Sequence, residues 1–145
     1  MKRTILRIKK INITSGFGNR VHPVTGKAKM HNGVDIACPV GTPVLSPVAA
    51  IVTNVFYDDK FGGGHTVILR DMINDDRYGF CHLQKATCKI GDIIQQGQEI
   101  ARSGNSGVGT GAHLHFSHSI NVKWNNNQAI EHTPIDPTDK IEYEL

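Results

Sequence analysis

Gly111-Ala112-His113-Leu114-His115-Phe116 is the stretch whose reading decides the fold. Two histidines two residues apart share a direction only on an extended backbone, where side chains alternate faces with a period of two. In that register Leu114, Phe116, His118 and Ile120 stand on one face, and His113, His115, Ser117 and Ser119 on the other. A strand with one apolar face and one imidazole face is half-buried, its polar side lining an open surface. His118, on the apolar side, is expected to be a partly buried imidazole with its own partner. Neutral imidazole is the commonest side-chain ligand of zinc, so the pair raises a metal site and turns attention to further ligands elsewhere.

The next candidate donors come early, in His31-Asn32-Gly33-Val34-Asp35-Ile36-Ala37. A histidine and an aspartate four apart could share a helical face, but Asn32-Gly33 is a turn signal and Val34 and Ile36 are strand formers. A turn into a strand is expected, with Gly33 and Asp35 facing one way and Val34 and Ile36 the other. Taken alone, the stretch is more simply an Asx-type turn with a surface histidine.

The rest of the chain reads as short extended runs punctuated by 15 glycines and 6 prolines, with no sustained helical period and no internal repeat. Strands are expected from Ile5 to Ile8, Ile11 to Thr14, Val48 to Val55, His65 to Arg70 and Tyr78 to Leu83, and as two short pieces within Ile90 to Ile100, turning at Gln96-Gly97. Arg20 to Met30 reads as a loop, Met72 to Arg77 as a hairpin loop, and the tail from Asn121 as polar, with Thr133 to Pro137 a rigid irregular segment. Gly62-Gly63-Gly64 is a close-approach segment; it lacks the Lys-Ser/Thr and following helix of a phosphate cradle, so a nucleotide loop is not expected.

At 145 residues the chain is most simply one domain spanning 1–145, its core about 13–120, and monomeric. A net charge of +3 suits an anionic polymer such as a bacterial wall, but no Lys/Arg block is interleaved with aromatics as a nucleic-acid surface would require. Three cysteines without Cys-x-x-Cys spacing exclude a disulfide framework; free, mostly buried thiols are expected. The basic residues of Met1 to Lys10 precede no apolar run of signal-peptide length, and Val44 to Val55 is too short to span a bilayer, so neither export by a leader nor membrane insertion is expected.

Three pieces together resemble the lysostaphin/LytM-type zinc metallopeptidases: His31-x-x-x-Asp35, Tyr78-x-x-x-His82-Leu83 and His113-x-His115, in that order. Ser15-Gly16-Phe17-Gly18-x-Arg20, Gly41-Thr42-Pro43-Val44, Gly91-Asp92-x-x-x-x-Gly97-Gln98 and Gly104-Asn105-Ser106-Gly107 are similar to further landmarks of the family, over roughly Ile13 to Ile120. The resemblance implies a mostly β, compact antiparallel sheet domain with a groove holding one Zn2+. It implies hydrolysis of peptide bonds in bacterial cell-wall peptidoglycan, outside the cell or in the periplasm. Carried over by position, His31, Asp35 and His115 are the metal ligands and His82 and His113 the unliganded catalytic imidazoles. Arg20 and Asn32 match positions near the groove, with a substrate-binding role as their expectation.

The chemistry is consistent with that set. Two nitrogens and one oxygen leave a fourth position open, as a catalytic zinc site does. Attack on a peptide bond needs a base, an acid for the leaving amine and a donor for the oxyanion, roles which His82 and His113 can divide between them in either order. His22 and His132 fall in loop-like stretches and read as solvated, while His65 could line a groove wall. Cys81 is next to His82, so on a regular strand it would project to the opposite face and into the core rather than serve as a nucleophile. Other classes remain open. One is a non-catalytic relative that binds wall or activates an amidase. A carrier reading of Gly91 to Ile100, which resembles a lipoyl-type hairpin, fails for want of the lysine-bearing turn and leaves His31, Asp35 and the histidine pair unexplained. Delivery as a phage lysin or as a trimmed secreted enzyme, and glycyl or D-alanyl bonds as the target, are equally open.

Overall fold

Runs of alternating apolar residues form strands, and the computed structural model contains little else; it describes residues 1–21, 25–58, 62–107 and 111–145. The first strands are β1 (Lys2–Thr4), β2 (Ile13–Ser15), β3 (Gly18–Val21), β4 (Ala28–His31), β5 (Val34–Ala37) and β6 (Pro43–Leu45). The long central ones follow as β7 (Ala50–Phe56), β8 (His65–Asp71) and β9 (Arg77–Ala86), then the short β10 (Ile93–Ile94) and β11 (Glu99–Ser103). Last come β12 (His113–Asn125), β13 (Gln128–Ile135), a single 3-10 turn at Thr138–Lys140 and β14 (Glu142–Glu144).

The main sheet runs β10-β7-β8-β9-β12-β5-β2, with β13 on β12 and β11 joining β9 to β6; β1 pairs with β14 and β3 with β4, and every pairing is antiparallel. The middle of this sheet explains the fold. On β12, Phe116 stands opposite Phe80 of β9 and Val34 of β5, while His115 stands opposite Cys81 and Asp35. Directly opposed residues share a face. One row is therefore Phe80-Phe116-Val34, all sealed in the core, and the adjacent row is Cys81-His115-Asp35 on the other side. The aromatic row is extended by Tyr78, stacked over Phe116 at 6.2 Å, with Phe80 at 5.2 Å from Phe116. Burying each such side chain contributes about 1.5–3 kcal/mol, so the apolar face holds the imidazole face in register. His118 lies on the apolar side as expected, stacked on Tyr78 at 4.3 Å and bonded through Nε2 to Asp76 at 2.8 Å.

The structure corrects the sequence reading at several places. Arg20 to Met30 is not all loop: β3 and β4 form a hairpin across it. The expected strand at Ile5 to Ile8 is displaced to Lys2–Thr4, with Leu6 making only an isolated bridge to Val44. The tail is not an irregular wrap either. β12 continues to Asn125 and folds back as β13, where Thr133-Pro134-Ile135 is strand and His132 lies exposed on it, Nδ1 2.8 Å from Ser119 Oγ. Tolerance of Pro134 there follows from its place on a sheet edge, where no ladder N–H is needed. His22 lies outside the described residues. No helix among those residues is long and apolar enough to cross a membrane.

Candidate metal centre and its flanking imidazoles

Three side chains from three strands converge on one point. His31 ends β4, Asp35 is the second residue of β5, and His115 faces Asp35 across the β5–β12 pairing. Nε2 of His31 lies 3.4 Å from Oδ2 of Asp35, and Nδ1 of His115 lies 2.8 Å from Oδ1 of the same carboxylate. One ligand atom from each residue fits within 4.8 Å of the others, close enough for all three to share one cation.

The donor set fits a metal ion on further grounds. Nδ1 of His31 is 2.8 Å from the carbonyl oxygen of Gly16, an acceptor that fixes the proton on Nδ1 and turns the Nε2 lone pair toward Asp35. Such outer partners orient the ligands of most metal sites. His115 is fixed sterically instead. A Cβ on Gly33 would come within 2.8 Å of His115 Nε2 and 2.5 Å of the Phe116 carbonyl oxygen, so a bare backbone at Gly33 lets the imidazole pack close against the turn. Burial pushes the Asp35 carboxyl up, but the hydrogen bond from His115 and the charges of His115, His31 and His113 outweigh it and hold Asp35 below the usual aspartate value. The carboxylate is thus ionised and ready for a cation.

His82 and His113 stand beside this cluster, their rings 4.5 Å apart. Nδ1 of His113 is 2.6 Å from the Gly111 carbonyl and Nδ1 of His82 is 2.7 Å from the Ser106 carbonyl. Both acceptors hold the proton on Nδ1, which leaves Nε2 of each ring free to take or give one. Nε2 of His113 is 4.0 Å from Asp35 Oδ1. Burial, followed by the nearby imidazoles of His113 and His115, lowers the basicity of His82, only partly offset by Ser106 and Asp35, so His82 is neutral at neutral pH.

His82 reaches this face because the strand is irregular. Between Phe80 and Leu83, β9 carries one residue more than β8 opposite it, and His82 has φ of +62°. This is a β-bulge, a device that re-aims side chains. It also overturns the expected position of Cys81. With alternation broken, Cys81 opposes His115 on the site face instead of entering the core, packed against Gly63 and Thr66. Burial pushes its thiol up, so it carries little thiolate.

The loops complete the geometry. A Cβ on Gly64, whose φ is +63°, would stand 2.4 Å from the Ser106 carbonyl carbon, so this glycine allows two loops to meet backbone to backbone. Ser106 Oγ accepts from His65 N–H and donates to the Leu83 carbonyl, fixing the loop whose carbonyl orients His82. His65 meets Tyr57 edge-on at 5.3 Å at the rim of this region. Farther along the site face Arg77 bends over Gly79, its Nη1 3.2 Å from where a Cβ would be, half-buried and with no acidic partner among the described residues. Arg20 is exposed on the β3–β4 hairpin and donates to Ser15 Oγ, and Asn32 is exposed at the turn between β4 and β5. Neither belongs to the three-residue cluster. The carbonyls of Gly16, Ser106 and Gly111, the space over Gly33 and the guanidinium of Arg77 were beyond sequence reasoning. The glycine- and serine-rich turns that contain the first three were the only signal.

Comparison with known proteins finds relatives of this chain. The profile described as Peptidase family M23 matches residues 29–134. The chain is 43% identical to the peptidoglycan DD-endopeptidase ShyB of Vibrio cholerae over 72% of its own length and 24% of that protein. Among solved structures, the catalytic domain of the antimicrobial peptidase lysostaphin from Staphylococcus simulans superposes with a TM-score of 0.72 at 30% identity, over 90% of this chain and 92% of that one. A zinc-containing peptidase from Vibrio cholerae gives 0.72 at 34% identity, over 93% and 39%. The chain spans about a quarter of the length of the first curated relatives it matches.

Proposed function

The chain belongs to Peptidase family M23, and from that premise we propose that it is a zinc-dependent endopeptidase that hydrolyses peptide bonds of bacterial cell-wall peptidoglycan. The observation that carries the reading is the convergence of His31, Asp35 and His115 within ligand reach of one another, beside two imidazoles whose Nε2 atoms make no hydrogen bond among the described residues. His31 through Nε2, Asp35 through its carboxylate and His115 through Nδ1 would hold the ion. When bound, zinc supplies Lewis acidity toward a carbonyl oxygen and lowers the pKa of a coordinated water to about 7.

The remaining work falls to the chain's own side chains. His82, neutral at neutral pH, accepts a proton at Nε2, and the Ser106 carbonyl stabilises the imidazolium so formed through Nδ1–H. His113, held the same way by Gly111, donates from Nε2 to the developing oxyanion or the departing amine once protonated. The geometry is equally compatible with the two exchanging roles. Arg77, a half-buried cation on the same face, offers its charge to a carboxylate of the substrate peptide. The non-catalytic alternative loses support from the presence of all five side chains.

The deciding experiment is hydrolysis of purified peptidoglycan followed by mass spectrometry of the released ends. Zinc-loaded protein is expected to create new amino termini, and chelator-treated protein none; undiminished cleavage after metal removal would end the proposal.

A further inference from the structure

Register orders the site face into three successive rows. His113 stands opposite Ala37, His115 opposite Asp35 and Cys81, and Ser117 opposite Gly79. The middle row holds two of the three clustered ligands. The other rows flank it at about 6.6 Å, the length of two residues along a strand. On one flank lies a hollow of about 250 Å³, lined by Thr14, Ala37, Gly111 and Ala112 beside Asp35 and His113. The opposite flank carries a charge.

That charge is the guanidinium of Arg77. A Cβ on Gly79 would stand 2.6 Å from Ser117 Oγ and 3.2 Å from Arg77 Nη1, so the bare backbone at Gly79 lets a guanidinium and a hydroxyl approach one point of the site face. Arg77 is half-buried. Its nitrogens make no hydrogen bond to any described residue, and none of them is sealed from solvent. The neighbouring polar groups are engaged elsewhere. Arg70, directly opposite on β8, holds Asp75 at 2.5 Å and Asn127 at 3.0 Å. Ser119, opposite on β12, has its Oγ 2.8 Å from His132 Nδ1. Like charges facing each other across a sheet are destabilising, and partial burial of a cation without a partner adds to that. Ser117 Oγ is underused as well, its bond to the Gly79 carbonyl being a long 3.5 Å. Two donors thus lie side by side without a strong acceptor among the described residues.

We propose that Arg77 and Ser117 form a clamp for a carboxylate on the residue that supplies the scissile nitrogen, so that the chain selects a cross-link with a free carboxylate there over its amide and over a glycyl bridge. The inference rests on the endopeptidase reading and gives it a substrate class. Distance selects the position. A carboxylate on the carbon bonded to the scissile nitrogen lies about 3–4 Å from the scissile carbonyl carbon, and a charge-assisted hydrogen bond adds about 2.8 Å. Together these match the spacing from the ligand row to the Gly79–Ser117 row, whereas a carboxylate one residue farther along overshoots it by about 3.5 Å. The planar fork of an arginine suits two carboxylate oxygens. On the other side of the cut bond, the hollow beside Ala37, Gly111 and Ala112 has room for a small side chain. A glycyl bridge offers the clamp nothing to hold.

The test compares three peptides on the zinc-loaded full chain: a D-alanyl cross-link with a free carboxylate on the carbon bonded to the scissile nitrogen, the same peptide with that carboxylate amidated, and pentaglycine. The acid is expected to exceed both others in kcat/KM by about tenfold or more, the scale of a charge-assisted bond. Arg77→Gln is expected to bring the acid-to-amide ratio down to about one to two, and Arg77→Lys, charged but without the fork, to keep part of it. Gly79→Ala reaches the clamp without removing its charge, because the new methyl crowds two flexible side-chain ends. It is expected to lower the ratio about threefold or more with little change in Tm. Calorimetric titration of chelator-treated protein with the acid and the amide gives a readout independent of turnover, the acid binding more tightly and losing that advantage in Arg77→Gln. Equal turnover of acid and amide, or a ratio unchanged by Arg77→Gln, would overturn the proposal and leave the endopeptidase reading standing. Arginine-dependent binding of the acid with no hydrolysis of any of the three would remove that reading and leave the clamp.

Discussion

A side chain on Gly33 and the imidazole of His115 cannot occupy the structure together: a Cβ at residue 33 would lie 2.8 Å from His115 Nε2 and 2.5 Å from the Phe116 carbonyl oxygen. Residue 33 is therefore part of how the candidate metal centre is shaped. Gly33→Ala is expected to displace the imidazole, weakening zinc binding about 10–100-fold, the scale of losing a ligand's outer support. It should also destabilise the fold by about 1–3 kcal/mol, as overpacking does. Competition with a zinc chelator and denaturant unfolding measure the two effects.

His82 and the metal ligands should separate cleanly in their variants. His82→Ala is expected to keep bound zinc and lose about 10²–10⁴ in kcat, the range of general acid–base contributions, whereas Asp35→Ala should lose both metal and activity. Metal content by atomic absorption beside kcat distinguishes the two classes.

Acid should silence the proposed hydrolysis later than an ordinary histidine would. Burial holds the pKa of His82 below 6.5, so the imidazole stays a base as pH falls past that value. The sign for stability follows from linkage: the unfolded chain takes up this proton first, so folding loses stability as pH falls from about 6.5 toward the depressed folded value. NMR titration of the His82 ring in metal-free protein is expected to give a midpoint under 6.5.

The thiol beside the site is expected to be a bystander. Cys81 shares the face of His115 but is half-buried, and burial raises its pKa. Cys81→Ala should retain the proposed activity within about threefold, and iodoacetamide should not abolish it at neutral pH, since thiolate is scarce. Rapid inactivation protected by substrate would contradict this.

Arg77 carries a different expectation. Half-buried on the site face without an acidic partner among the described residues, it should act in binding substrate. Arg77→Gln is expected to raise KM about tenfold or more for a substrate with a carboxylate, the scale of a charge-assisted hydrogen bond, with zinc content unchanged.

Much of this was legible in the chain because it is written in side chains with a period. The split of Leu114 and Phe116 from His113 and His115 follows from strand alternation, and the structure has that split. Proximity of His31, Asp35 and His115 came from an ordered set of motifs, not from local pattern. Alternation failed at Cys81-His82, because a bulge there depends on how β9 meets β8 and leaves no mark in composition. The β3–β4 hairpin was missed since polar, Gly-containing strands resemble loops, and β13 because its proline argues against a strand that an edge can tolerate. The carbonyls of Gly16, Ser106 and Gly111 were illegible for a simpler reason: every residue has one.

Anomalous diffraction at the zinc edge, from crystals grown with the metal, tests the central claim most directly. The account predicts one peak about 2.0–2.2 Å from His31 Nε2, an Asp35 carboxylate oxygen and His115 Nδ1, with a coordination position open to solvent. No peak at that point, or a fourth protein atom closing the ion, would contradict it.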